Sequence, residues 1–152
     1  MDYHGQFIFT AFSLEAYFNH IGEQLFKSWE ALEYLTPLKK LDVICEKIDM
    51  ILDQSRRPYQ TIKKLFDFRN QMAHGRTIKL SKEEIRGFDD NLDEYLGERL
   101  KAWWQEYCTV SNAKRAREDS EKIMQLIHNN AKIRNDHLFT FGMASHSAKI
   151  TA

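Results

Sequence analysis

The chain has 152 residues, of which 43% are hydrophobic, and its 22 basic residues are matched by 22 acidic ones. This length and apolar content suffice for one domain with a core, whereas a net charge near zero argues against a protein whose main role is to coat nucleic acid. Two cysteines, Cys45 and Cys108, form neither a disulfide framework nor a metal-binding spacing. We expect reduced thiols and a cytoplasmic location, because the N-terminus lacks a secretory signal and no apolar run reaches membrane-spanning length.

The spacing of apolar residues predicts helices throughout, and no segment shows the alternation of a strand. Helix 1 is predicted from about Gln6 to Tyr34, with apolar residues that alternate at steps of three and four over most of its length: Ala11, Leu14, Phe18, Ile21, Leu25 and Leu32. Thr36 and Pro37 supply an N-cap and a first helical residue for helix 2. The apolar positions of helix 2 are Leu38, Leu41, Ile44, Cys45, Ile48, Ile51 and Leu52.

Helix 3 is predicted to open at Pro58 and to stop at Gly75, a residue type common just past a helix C-terminus. Ser81 and Glu84 form a capping box for helix 4, which continues through Ile85, Phe88, Leu92, Leu96, Leu100, Trp103 and Tyr107. The stretch 109–112 separates it from helix 5, whose apolar positions are Ala116, Ile123, Met124, Ile127 and Ala131. The predicted fold class is all-α: an antiparallel bundle of about five helices in one domain, residues 1–135, followed by a C-terminal tail, residues 136–152.

One charged residue, Arg69, falls near the centre of an apolar helix face, which is formed by Ile62, Leu65, Phe66, Met72 and Ala73. Because an unpaired charge in such a position is costly, Arg69 requires a partner, a ligand or a wet cleft. Glu15, which flanks the apolar stripe of helix 1, is the leading candidate for its partner. A buried ion pair and an anion site are both open interpretations, and they are compatible because a carboxylate behind a guanidinium can aim it.

Helix 3 ends on a second candidate, His74. A histidine in a last turn is favoured by the helix dipole, and many such residues are simply helix ends, but an imidazole also suits proton transfer near neutral pH. Asn70 lies four residues before His74 and shares a helix face with it, whereas Arg69 lies about 140° away around the axis. We therefore favour a site shared between two subunits over one built within a single chain.

The remaining polar and aromatic features are weaker candidates. The other histidines lie near chain ends or on polar faces: His4, His20, His128, His137 and His146. No cluster has zinc spacing and no glycine-rich phosphate loop is present, so neither a metal nor a cofactor is expected. The basic runs 39–40, 63–64 and 114–117 are interpreted as solvated faces. The aromatic residues Tyr95, Trp103, Trp104 and Tyr107 exceed what one core can bury, so part of this surface is expected to pack on a second subunit, with base stacking as the weaker alternative.

The segment Arg69-Asn70-x-x-x-His74, late in a helix and followed by Gly75, resembles the signature of HEPN domains. The resemblance includes the amphipathic run 62–68 and, more loosely, the acid-bearing stretch 13–15 of helix 1. It implies a helical bundle that dimerises with the motif helices facing each other. Many members of this family are metal-independent endoribonucleases of toxin–antitoxin, phage-defence and RNA-processing systems, and others have lost catalysis and serve as binding or dimerisation modules.

The resemblance therefore implies an endoribonuclease that cleaves RNA by attack of its 2′-hydroxyl, in a composite site at a homodimer interface. Arg69 would hold the phosphate, His74 would transfer protons, Asn70 would orient the substrate and Glu15 would support Arg69. The implied partners are RNA, a second copy of the chain and a cognate antitoxin protein, with no membrane. The alternative is a catalytically inactive HEPN-like module that dimerises or binds a ligand or protein, with Arg69 in a buried ion pair.

Overall fold

The computed structural model describes residues 3–74 and 103–132, and all regular secondary structure within these two ranges is helical. Its elements are α1 (His4–Leu25), a short 3-10 helix (Trp29–Ala31), α2 (Pro37–Lys47), α3 (Tyr59–His74), α4 (Trp103–Tyr107) and α5 (Val110–Ala131). The predicted all-α fold class is confirmed for this part of the chain. Most of predicted helix 4 and the predicted tail, residues 136–152, lie outside the described residues.

Helix α1 is the centre of the bundle, because it packs against α2, α3 and α5. Its fully buried side chains follow the predicted stripe from Ala11 to Ile21 and add Phe7 one turn earlier. They meet core residues from the other helices: Leu41, Ile44, Ile62, Leu65, Phe66, Phe68, Ile123 and Ile127. In the described ranges, no helix combines the length and the apolar character needed to cross a membrane.

Helix α1 ends at Leu25, and the predicted continuation to Tyr34 is wrong. Phe26 is extended, with φ −121° and ψ 134°, and the chain turns so that the ring of Trp29 packs on Gly22. A Cβ on Gly22 would lie 2.3 Å from that ring, so only glycine admits this contact. Leu32 still packs against the core, although it lies outside the helix. The apolar spacing continues beyond the helix because the connection also contributes Trp29 and Leu32 to the core.

Helix α2 begins as predicted but ends earlier. Thr36 is extended before the helix and Pro37 is its first residue. The helix ends at Lys47, because Asp49 adopts a left-handed conformation with φ 53° and the Met50 N–H donates to the Cys45 carbonyl at 2.9 Å. The predicted extension to Leu52 is therefore wrong, and Ile51, expected on the core face, is 98% exposed.

A break between helices 4 and 5 is present, but it lies at residues 108–109 rather than over the predicted stretch 109–112. Thr109 is the N-cap of α5, and its hydroxyl oxygen accepts a hydrogen bond from the Asn112 N–H at 3.1 Å. Just before it, Tyr107 packs against Phe7, with ring centroids 4.9 Å apart. Burial raises the pKa of the Tyr107 hydroxyl to about 12. The helix starts at Val110, so the segment predicted as a break forms its first turn.

A buried carboxylate ties α5 to the residues that precede α3. Arg57 donates to Asp119 through two bonds, Nε to Oδ2 at 2.8 Å and Nη2 to Oδ1 at 2.9 Å. Burial alone raises the pKa of the Asp119 carboxyl, but hydrogen bonds from Arg57 and Thr61 outweigh it and bring the pKa below its usual value. The N-terminal end of α3 is thereby fixed against α5.

Candidate functional site

Arg69 lies in the apolar face of α3, as the sequence predicts, and its side chain is 16% exposed. Its guanidinium carbon lies 5.8 Å from the ring centroid of Phe12 on α1 and 5.7 Å from that of Phe66 on its own helix. A guanidinium is weakly hydrated and interacts favourably with aromatic faces, which lowers the cost of burying it. The two rings therefore hold this cation between α1 and α3.

Glu15 is the counter-ion of Arg69, which confirms the pairing predicted from the sequence. Nη2 of Arg69 donates to Oε2 of Glu15, and Nη1 donates to Oδ1 of Asn70 at 3.1 Å. The third nitrogen, Nε, is buried without a hydrogen-bond partner. One carboxylate and one amide thus fix the guanidinium near the C-terminal end of α3.

Lys40 on α2 is a second cation on the same carboxylate. Its Nζ lies 3.5 Å from Oε1 of Glu15, and its side chain is only 4% exposed. The interpretation of residues 39–40 as a solvated face is therefore right for Lys39, which is 69% exposed, and wrong for Lys40. The spacing in the sequence indicates the burial of Lys40, because Lys40 lies three residues after Pro37 and four before Ile44, and both of these are buried.

Arg69, Asn70 and His74 line one cleft of about 770 Å³, which we call the Arg69 cleft. Its other lining residues come from α1, from the segment before α2 and the first residue of α2, from α3 and from α4: Glu15, Glu33, Tyr34, Leu35, Thr36, Pro37, Asp67, Gln71 and Trp103. Asn70 and His74 are exposed. Arg69 and His74 lie about 140° apart around the helix axis, but a long arginine side chain and a wide cleft bring both to one cavity within a single chain.

The positive and negative charges of the Arg69 cleft lie at different depths. Arg69 is largely buried, and the exposed part of the lining carries the carboxylates of Glu33 and Asp67. Neither acid stands out in the sequence, because exposed acids on helices and loops are common. A polyanion that enters the cleft of one protein copy is therefore attracted by Arg69 and repelled by the carboxylates of Glu33 and Asp67.

The aromatic residues near α4 divide between the core and the Arg69 cleft. Tyr107 packs on Phe68 at 5.9 Å between ring centroids, and Trp104 is half-buried. Trp103 lines the cleft and is 42% exposed. Tyr95 lies outside the described residues. Trp103 is thus the member of this group that offers a free aromatic surface next to Arg69.

The weaker candidates stay apart from this cleft. The ring of His4 lies 6.0 Å from that of Phe68 and 6.1 Å from that of Trp104, and His20 is hydrogen-bonded to Gln24 at 2.7 Å. His137 and His146 lie outside the described residues. Within residues 3–74 and 103–132, no three histidine, cysteine or acidic side chains are arranged to hold a metal ion.

Comparisons of the chain with protein-family models, with curated proteins and with solved structures find no match.

Proposed function

We propose that this chain is a metal-independent endoribonuclease of toxin–antitoxin or phage-defence type, built on a HEPN-like antiparallel bundle. The observation that carries the proposal is the convergence of Arg69, Asn70 and His74 on one cleft. These residues supply a phosphate-binding cation, an orienting amide and a proton-transfer group. Cleavage of a phosphodiester by its own neighbouring hydroxyl is accelerated by proton transfer and charge stabilisation of this kind.

The reaction uses the nucleophile that RNA carries. The 2′-oxygen attacks the adjacent phosphorus while the bond from phosphorus to the 5′-oxygen breaks. An imidazole takes the proton of the 2′-hydroxyl, and a second imidazole gives a proton to the departing 5′-oxygen. The products are a 2′,3′-cyclic phosphate and a 5′-hydroxyl. Arg69 stabilises the negative charge that develops on the phosphate oxygens.

A homodimer supplies the second imidazole in this proposal. His74 is the last residue of α3, and both His74 and Asn70 are exposed, which leaves them accessible to substrate and to a second copy. With two copies related by a two-fold axis, the two His74 residues meet one phosphate as base and acid. A cognate antitoxin protein would act by covering the same exposed helix end.

The contacts of Arg69 suit this role, because a catalytic cation works best when it is held before the substrate arrives. Glu15 and Asn70 fix two of its nitrogens, and the ring centroids of Phe12 and Phe66 lie 5.8 and 5.7 Å from its central carbon. Little reorganisation of the guanidinium is then needed when a phosphate binds.

A second function has its own support: a catalytically inactive HEPN-like module that dimerises or binds a ligand or partner protein. The Glu15–Arg69 ion pair favours this second function, because a guanidinium that is already paired without a ligand can be explained by its place in the fold alone. The carboxylates of Glu33 and Asp67 also favour it, since they repel RNA.

Cleavage of single-stranded RNA by the purified chain tests the first proposal. We expect His74→Ala and Arg69→Ala to lower the cleavage rate at least about 100-fold, with cleavage by the unaltered chain continuing in a chelator. His20→Ala is the matched control, because His20 is an exposed histidine outside the cleft. Mass spectrometry of the fragments should show cyclic phosphate ends.

Two results would overturn the ribonuclease proposal. One is intact RNA after incubation with the unaltered chain at high enzyme concentration, and the other is equal cleavage by the His74→Ala variant. Intact RNA, together with a dimer in sedimentation, would support the binding module, whereas equal cleavage by His74→Ala would exclude His74 from the reaction. Loss of cleavage in the chelator would refute the metal-independent mechanism specifically.

A further inference from the structure

Glu15 is shared between two buried cations that come from different helices. Arg69 reaches Oε2 from α3, and Lys40 reaches Oε1 from α2 at 3.5 Å. The side chains of Arg69, Lys40 and Glu15 are 16%, 4% and 24% exposed. One carboxylate can balance only one cation, so this three-residue cluster keeps one unit of positive charge beside the Arg69 cleft.

This surplus matters because a buried charge is expensive unless it is balanced. A lysine side chain is almost never as deeply buried as that of Lys40 unless it is paired, and its partner here is a carboxylate that Arg69 also uses. Lys40 draws the carboxylate through its second oxygen, and Glu15 therefore neutralises Arg69 only in part. Of the two cations in the cluster, Arg69 is the one that lines the cleft, beside Glu15, so an anion in the cleft meets the surplus positive charge at the guanidinium.

The guanidinium also keeps donors for an anion. Arginine has five N–H groups, of which Glu15 and Asn70 each accept one. Nε is buried, so the remaining hydrogens on Nη1 and Nη2 are the ones that can meet a ligand in the cleft. Two parallel bonds from these nitrogens fit the oxygens of a phosphodiester.

We propose that Lys40 is a positioning residue that tunes the Arg69 cleft for a single phosphodiester anion. It acts through Glu15: by sharing the carboxylate, it leaves Arg69 with enough charge to bind the anion while keeping the guanidinium anchored. The inference rests on the proposed function, because the anion it assigns is the RNA phosphate. It adds that affinity for this anion follows the net charge of Glu15, Lys40 and Arg69 together.

Binding of a short 2′-deoxy oligonucleotide tests this inference without cleavage, because the probe has phosphodiesters but lacks the 2′-hydroxyl nucleophile. Lys40→Met removes the surplus charge, and we expect about a three- to ten-fold loss of affinity at low salt. Lys40→Arg keeps the charge and should bind within about two-fold of the unaltered chain. Methionine retains the apolar stem, so the Lys40→Met variant is expected to fold.

The double variant Glu15→Gln with Lys40→Met gives the sharpest result. It removes one negative and one positive charge, so the net charge of the cluster is restored, and we expect affinity to return to within about two-fold of the unaltered chain. A merely structural role for Lys40 predicts the opposite, since the second substitution would add damage to the first. Thermal unfolding of each variant confirms that folded protein is compared.

Two outcomes would refute the inference: unchanged affinity in the Lys40→Met variant, or no recovery in the double variant. Its failure is separable from failure of the proposed function. RNA cleavage that does not depend on Lys40 leaves the ribonuclease standing and removes this role. The variants could also show that affinity follows the charge of the cluster while the unaltered chain leaves RNA intact. That result would support the anion subsite and refute the nuclease.

Discussion

Glu15 and Arg69 lie 54 residues apart in the sequence and form the ion pair that joins α1 to the C-terminal half of α3. The same carboxylate contacts Lys40 on α2. Three helices of the bundle therefore meet at one acid, and the position of the guanidinium in the Arg69 cleft depends on the packing of α1 against α3. Stability and site geometry are coupled at this point.

Glu15→Ala should lower the free energy of unfolding by about 2 to 4 kcal/mol, because it leaves two buried cations without an anion. Urea denaturation at neutral pH measures the loss. Asp42→Ala is the matched control, since Asp42 pairs with the exposed Lys39 at 3.6 Å on the surface and should cost less than about 1 kcal/mol. Equal effects of the two substitutions would show that the Glu15 cluster adds no more than a surface pair.

Gly22→Ala should destabilise the fold by about 2 to 3 kcal/mol, because the new methyl group would overlap the Trp29 ring at 2.3 Å. Gly5→Ala is the control, because nothing lies within 4 Å of a Cβ at that position. Since Gly5 is also in α1, its substitution should be neutral or stabilise by up to about 1 kcal/mol. Thermal unfolding of both variants tests the difference, and similar melting temperatures would contradict the packing described for Trp29.

Asp119 should make stability dependent on pH at the acid end. Its pKa is lowered in the folded protein, so its contribution is present above the unfolded-state pKa of about 4 and is lost as the pH falls through the lower folded value. Asp119→Asn should cost about 1 to 2 kcal/mol at neutral pH, since Arg57 is half-exposed. The gap between the two proteins should shrink below about pH 4.

Denaturant titrations across this pH range measure the gap, and a gap independent of pH would contradict the assignment to the Arg57–Asp119 pair. Glu118→Gln serves as the control. Glu118 is the neighbouring exposed acid, 3.9 Å from Lys114, and its substitution should change stability little at any pH.

Asp67→Asn should raise the rate of RNA cleavage at low substrate about two- to five-fold at low salt, because it removes a carboxylate that repels phosphate in the cleft. The gain should fade at high ionic strength as the charge is screened. Glu23→Gln, an exposed acid on α1 outside the cleft, should have no such effect. A slower Asp67→Asn variant would instead assign the Asp67 carboxylate to the reaction.

Much of the fold follows from local sequence rules, but the ends of helices do not. Periodicity predicts α1 correctly as far as Leu25, since its apolar face is regular. Beyond it, the packing of Trp29 on Gly22 turns the chain, and this contact between residues seven positions apart has no periodic signature. The same holds at Asp49, whose left-handed backbone ends α2 while apolar residues continue to Leu52.

The candidate site can be predicted from the sequence where a charged residue lies in an apolar helix face. Arg69 in an apolar face led directly to Glu15, and the pair is present. Lys40 lies in the apolar face of α2 in the same way, but its burial is hard to recognise in the sequence because the neighbouring Lys39 is exposed. The Glu33 and Asp67 lining could not be predicted, because it depends on how the loop before α2 approaches α3 in space.

The three tryptophans of the chain give it two built-in optical reporters. Trp29 is 2% exposed in the core, whereas Trp103 lines the Arg69 cleft. In a Trp104→Phe background, emission from Trp103 should respond to a nucleotide or oligonucleotide that enters the cleft, while emission from Trp29 should shift only when the bundle melts. Occupancy and unfolding can then be followed in one cuvette without a label.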